Sequence, residues 1–148
     1  MKKIKTIALC SSASHYEKLF PIKKELEEMG FKVLMPKTAM LMKRKNNFDR
    51  MTYQPWHKNP KTYYKKRALM NDHFRKIKRS DAILVANFEK NGIKGYIGGN
   101  VFMEITIAYF LKKPVFILNK ISGNFPIEEE LNAINAIFLE GNLADLKS

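Results

Sequence analysis

The sequence predicts a three-layer α/β domain built on a parallel sheet, and three observations predict it. Short apolar runs alternate with stretches of helical periodicity from end to end. The run Ala82 to Ala86 (AILVA) is apolar throughout, as a strand covered on both faces must be. The loops that would follow the first and third strands are both built of small residues. Five strands in this pattern suggest the order 2-1-3-4-5, a flavodoxin-like or Rossmann-like sheet. In that order strands one and three are neighbours at the switch point, and a ligand binds beyond their carboxyl ends. The loops there are Ser11–Ser14 and Asn87–Asn100.

The elements follow in order. Ile4 to Cys10 (IKTIALC) reads as a buried strand, and Ser11-Ser12-Ala13-Ser14 as the loop after it. Ser14 with Glu17 three residues on fits a capping box, opening a helix to about Met29. Its apolar positions Leu19, Ile22, Leu26 and Met29 keep helical spacing, and Gly30 stops it. Phe31 to Met35 is a second strand, closed by Pro36. Residues 37 to about 60 read as irregular, with Asn46-Asn47, Gln54-Pro55 and Asn59-Pro60 as loop signals. A helix over Lys61 to Arg79 follows, with Tyr64, Ala68, Met70, Phe74 and Ile77 as its expected inner face. After the third strand comes the glycine-rich connection to Gly99 and a helix through Leu111. Val115 to Leu118 is the fourth strand, Pro126 to Asn135 a helix, Ala136 to Leu139 a short fifth strand, and the tail from Asn142 a last helical turn.

The totals narrow the classes. At 148 residues the chain is one domain, 1–148, large enough for a real core. A hydrophobic content of 45% excludes a disordered chain. A single cysteine excludes a disulfide framework, and no apolar run is long enough to span a membrane. The apolar run after Met1-Lys2-Lys3 is too short for a signal core, so a cytoplasmic protein is expected. The net charge of +13 is uneven: residues 37 to 67 hold ten Lys/Arg and one acid, and so carry +9 of it. That basicity suggests an anionic ligand or partner, and a loop or lid inserted at about 37–66. Aromatics interleave it (Phe48, Tyr53, Trp56, Tyr63, Tyr64). This composition suits single-stranded nucleic acid, a lid over a nucleotide, or a solvated, partly subunit-contacting loop.

One residue organises the candidate chemistry. The stretch Gly98-Gly99-Asn100 opens a nearly all-apolar helix whose only carboxylate is Glu104. A helix apolar all round is expected to be buried, and a buried carboxylate is costly without compensation. A capping box would need Val101 as its cap, which cannot serve. Glu104 is therefore a candidate working group, with a structural acid as the rival reading. Ser11, Ser12 and Ser14 can bond a phosphate beside a helix N-terminus, or form a plain turn. Gly92, Gly95, Gly98 and Gly99 let backbone approach a ligand, or simply keep the turn flexible. Tyr96 can stack on a base or close the loop; Asn87 and Asn100 flank the same cleft. Asp72, in a mid-helix Asn-Asp pair of poor propensity, either faces solvent or supplies a second carboxylate. Asp81 reads as a structural turn residue, and Cys10 as a small core residue. His15, His57 and His73 lack metal-ligand spacing, so neither a metal nor a cofactor is assigned. No G-x-G-x-x-G follows the first strand and no Walker lysine motif is present.

The run Asn71-Asp72…Ile77…Asp81-Ala82-Ile83-Leu84-Val85-Ala86, a glycine loop, Glu104 in a helix, and Lys113-Pro114-Val115-Phe116-Ile117 resembles the nucleoside 2-deoxyribosyltransferase-like superfamily. That superfamily includes transferases and nucleoside monophosphate N-glycosidases. The resemblance covers about two thirds of the chain. It implies Glu104 as nucleophile, Asp72 as the acid that handles the leaving base, and Ser11 and Ser12 as the loop approaching the sugar or its 5′ end. Ser14, Asn87, Tyr96, Gly98, Gly99 and Asn100 complete the expected substrate contacts. The turn before Glu104 lacks the acid that the transferases carry there, so base recognition must differ or be missing. The long basic segment has no counterpart in the smaller hydrolases. A homo-oligomer is implied. The expected activity is cleavage or transfer at the N-glycosidic bond of a nucleoside or its 5′-monophosphate. The alternative is a nucleotide- or nucleic-acid-binding or sensing module on the same fold.

Overall fold

The computed structural model describes residues 2–146, and the tail beyond Leu146 lies outside them. Five parallel strands form one sheet in the order β2-β1-β3-β4-β5: β1 (Thr6–Cys10), β2 (Lys32–Leu34), β3 (Ala82–Val85), β4 (Val115–Ile117) and β5 (Ile137–Phe138). The helices are α1 (Leu19–Glu28), α2 (Lys37–Lys45), α3 (Tyr63–Arg79), α4 (Gly99–Phe110) and α5 (Glu128–Ala133). The expected order of strands is the one observed. Thr6, Ile7 and Ala8 of β1 register with Lys32, Val33 and Leu34, and on the other side Ile7 to Cys10 register with Ala82 to Val85.

Alternation along the strands sorts the core into two layers. Leu9, Leu84 and Phe116 pack with Leu19 and Leu26 of α1 on one face. Ala8, Cys10, Ile83, Val85 and Ile117 pack on the other with Ile77 of α3, Val101, Ile105 and Ala108 of α4, and Leu131 of α5. Cys10 thus points toward α3 and α4, and this parity decides what it can touch. Gly30, at φ +98°, takes the left-handed turn after α1 that other residues adopt at a cost. Asp81 is structural as expected. Its Oδ2 accepts the Lys5 and Thr6 N–H groups at 2.9 Å each, and its Oδ1 lies 3.0 Å from Lys2 Nζ. These bonds, the Lys5 N–H first, hold its carboxyl down at about 2.

Four local expectations are corrected. Ser14 does not cap: Ala13–Lys18 is a 3₁₀ helix with Ser12 as its N-cap and no side-chain cap bond, and α1 starts only at Leu19. Residues 37 to 60 are not irregular, because Lys37–Lys45 is an α-helix entered through Pro36 and ended by Asn46 in the left-handed region, with 3₁₀ turns after it. The inner face of α3 is only partly the expected one: Ile77 is buried and Phe74 packs against the core as expected, but Tyr64 and Ala68 are exposed, and His73, one turn before Ile77, is buried in their stead. Finally, α4 is not buried all round: Val101, Glu104, Ile105 and Ala108 face inward, while Met103, Tyr109 and Phe110 are exposed. Among the described residues no helix is long and apolar enough to cross a membrane.

Candidate functional site

A cavity of about 300 Å³ opens beyond the carboxyl ends of β1 and β3, at the switch point. Its walls come from four places. The loop after β1 supplies Ser11 and Ser12, and the Tyr96–Asn100 turn supplies the lip of α4. Helix α3 supplies Lys66, Leu69, Met70 and His73. The basic segment supplies Lys37, Arg50, Tyr53 and Trp56. Trp56 is buried, with Lys66 Nζ 5.5 Å from its ring centroid.

Among the described residues Glu104 is the only carboxylate lining this cavity, and it is 4% exposed. Because α4 begins at Gly99, the acid sits in the second turn, where the helix dipole has largely faded. Burial pushes its carboxyl up to about 8; the Cys10 thiol and the Lys66 ammonium pull the other way and lose. His73 Nε2 lies 3.9 Å from Glu104 Oε2 and 3.6 Å from Cys10 Sγ. Burial first, and Lys76 second, bring His73 down to about 4, so the ring is neutral near pH 7. Its Nδ1 is buried; the Leu9 carbonyl acts on the ring but falls short of hydrogen-bond geometry to that nitrogen. Burial, then Glu104, raise the Cys10 thiol well above its usual value, so it is undissociated.

The other expected residues divide. Ser11 and Ser12 line the cavity; Ser11 Oγ also donates to the Ala86 carbonyl at 2.7 Å, bridging the ends of β1 and β3. Ser12 Oγ accepts from Lys90 Nζ at 3.1 Å, and Arg50 acts on that same ammonium. Burial and Arg50 together hold the Lys90 pKa below its ordinary value. Two cations therefore crowd one end of the cavity. Ser14 is exposed, 3.0 Å from Ser12 Oγ, and does not line it. Tyr96, Gly98, Gly99 and Asn100 do line it, and Asn100 Oδ1 is buried without a hydrogen-bond partner. Asp72 does not line the cavity. Its Oδ2 is 2.9 Å from Lys76 Nζ, and Lys76, Lys37 and Arg75 outweigh burial to keep its carboxyl below the ordinary value.

Asn87 is also outside the cavity lining, and its polar atoms are engaged elsewhere. Its amide donates to the Gly95 and Asn119 carbonyls, its Oδ1 accepts the Asn119 N–H, and its carbonyl accepts from the Asn119 amide. This knot ties the Tyr96 loop to the end of β4. Gly95 completes it: at φ +67°, a Cβ there would lie 2.0 Å from the Lys120 carbonyl oxygen. Gly95→Ala is expected to cost about 2–4 kcal/mol through that clash and the left-handed backbone. Chemical denaturation measures it; an unchanged midpoint would show that the loop is not so held.

Sequence reasoning missed His73 and underrated Cys10. Position 73 repeats at four residues with the apolar Ile77, and this spacing was the available signal.

No family model matches the chain, and no curated protein matches it. Among solved structures, a 2-deoxyribosyltransferase from the psychrotolerant bacterium Bacillus psychrosaccharolyticus superimposes with a TM-score of 0.56. The match covers 95% of this chain and 89% of that one at 16% identity. This chain shares that enzyme's fold. The likeness is one of architecture, and it extends over nearly the whole domain.

Proposed function

We propose that the protein cleaves, or transfers across, the N-glycosidic bond of a nucleoside 5′-monophosphate, with Glu104 as nucleophile. The observation that carries this reading is a buried carboxylate, Glu104, in a cavity whose lining also includes the cations Lys37, Arg50, Lys66 and Lys90 and, among the described residues, no other acid. An acid that attacks a sugar carbon must be dry and fixed, and an anionic substrate answers the surplus of positive charge. The similarity of fold to a 2-deoxyribosyltransferase supports the same class of bond.

In this reading the 5′-phosphate lies against Ser12, Lys90 and Arg50, and the sugar's anomeric carbon faces Glu104. Ionised Glu104 displaces the base and forms a glycosyl ester. The electrons of the broken C–N bond go to the base, which takes up a proton. The family resemblance nominates Asp72 as donor of that proton, but Asp72 lies outside the cavity and is paired with Lys76, so in this reading the proton comes from solvent. Water or a second base then attacks the ester and frees Glu104.

The test is a panel of nucleosides and their 5′-monophosphates, with free base measured by chromatography. Base release is expected from at least one monophosphate and not from Glu104→Ala. Lys90→Ala is expected to raise KM for the monophosphate about 10- to 100-fold, the loss of a charge-assisted bond of about 1.5–3 kcal/mol, and to leave the matching nucleoside unaffected. No release across the panel, with wild type and Glu104→Ala alike, overturns the reading. The alternative is binding without turnover, favoured by the burial of Glu104, which pushes its carboxyl up to about 8. Salt-dependent retention of a nucleotide or oligonucleotide, unchanged by Glu104→Ala, would favour it.

A further inference from the structure

Three side chains from three elements meet beneath the cavity. Cys10 ends β1 and points to the α3–α4 face, His73 projects from α3, and Glu104 from α4. They are 0%, 4% and 4% exposed. Their donor atoms all lie within 4.8 Å of one another, the one such trio among the described residues. At ordinary zinc bond lengths, a tetrahedral site sets sulfur and imidazole nitrogen about 3.6 Å apart, and nitrogen and carboxylate oxygen about 3.4 Å. The separations here are 3.6 Å for Cys10 Sγ to His73 Nε2 and 3.9 Å for His73 Nε2 to Glu104 Oε2.

We propose that Cys10, His73 and Glu104 form a binding site for one divalent cation of the zinc type, with its fourth position open to the cavity. The donor set decides the class of metal. One sulfur, one nitrogen and one oxygen suit zinc or cobalt, whereas magnesium and calcium require a shell of oxygens. His73 and Glu104 line the cavity, so an ion reaches the site from solvent, and a water or a substrate atom can fill the fourth position. On binding, the Cys10 thiol and whatever fraction of Glu104 is protonated give up their protons to solvent. The ion also occupies the carboxylate that would attack the sugar. Zinc is therefore expected to inhibit base release; this consequence, unlike the binding itself, rests on the reading of Glu104 as nucleophile.

The experiment is titration of chelator-stripped protein with Co²⁺, followed by displacement with Zn²⁺. One equivalent of Co²⁺ is expected to produce a thiolate-to-cobalt charge-transfer band, which Zn²⁺ abolishes. Cys10→Ser is expected to remove the band, and His73→Asn to weaken binding at least about 100-fold. His15→Asn, a buried histidine outside the trio, leaves binding unchanged. If Cys10→Ser fails to fold, X-ray absorption on zinc-loaded wild type reads the same ligand set directly as one sulfur with nitrogen and oxygen. Absence of a sulfur ligand, or binding indifferent to His73→Asn, overturns the site. Binding without any base release would sink the glycosidase reading alone; base release without binding would sink the metal site alone.

Discussion

Glu104→Gln is expected to abolish the proposed base release, lowering kcat/KM by about 10³-fold or more, and to outlast the parent when both are heated at alkaline pH. The first effect would be the removal of the proposed nucleophile. The second follows from linkage. An unfolded-state Glu titrates near 4.3, whereas burial lifts folded Glu104 to about 8. Between those values the folded state binds the extra proton, so stability falls as pH rises through the window. Below pH 4 Glu104 adds no penalty; above pH 8 the penalty is complete. Gln carries no charge at any pH. The melting temperatures of the two proteins are therefore expected to agree near pH 4 and to separate by on the order of 10–20 °C near pH 8.5. A parallel decline of both with pH would show that Glu104 ionises as freely folded as unfolded.

The proposed base release is expected to rise about tenfold per pH unit below pH 8 and to level off above it. In that reading only ionised Glu104 attacks, and the ionised fraction grows until pH passes its pKa of about 8. Lys66 pulls that value down, so Lys66→Ala shifts the inflection to higher pH while Glu104 remains in place. The measurement is kcat/KM against pH with a chelator present, which removes competition from adventitious metal. A flat profile from pH 5 to 8 would mean that Glu104 is already ionised or does not take part. His73, at about 4, stays neutral across this range and adds no inflection of its own.

The amino-acid sequence by itself determined the layers, the strand order and the position of the cleft. Apolar runs of strand length alternate with helical repeats whatever surrounds them, and the switch point follows from strand order alone. It also singled out Glu104, because a carboxylate in an apolar helix is a local contradiction visible without coordinates. Only the tertiary structure decided what Glu104 meets. Cys10 and His73 are 63 residues apart, and their contact depends on which face of β1 carries Cys10 and how α3 is rotated about its axis. One wrong choice of helical face, Tyr64 and Ala68 for His73, hides that contact. Asp72 and Asn87 teach the same lesson in reverse. Each looks like a ligand-binding group in isolation, and each spends its polar atoms on neighbours that folding supplies: Lys76 one turn along α3, and Asn119 across the sheet end. Hydrophobic pattern is written locally and survives reading in one dimension, whereas the partner of a polar atom is chosen in three.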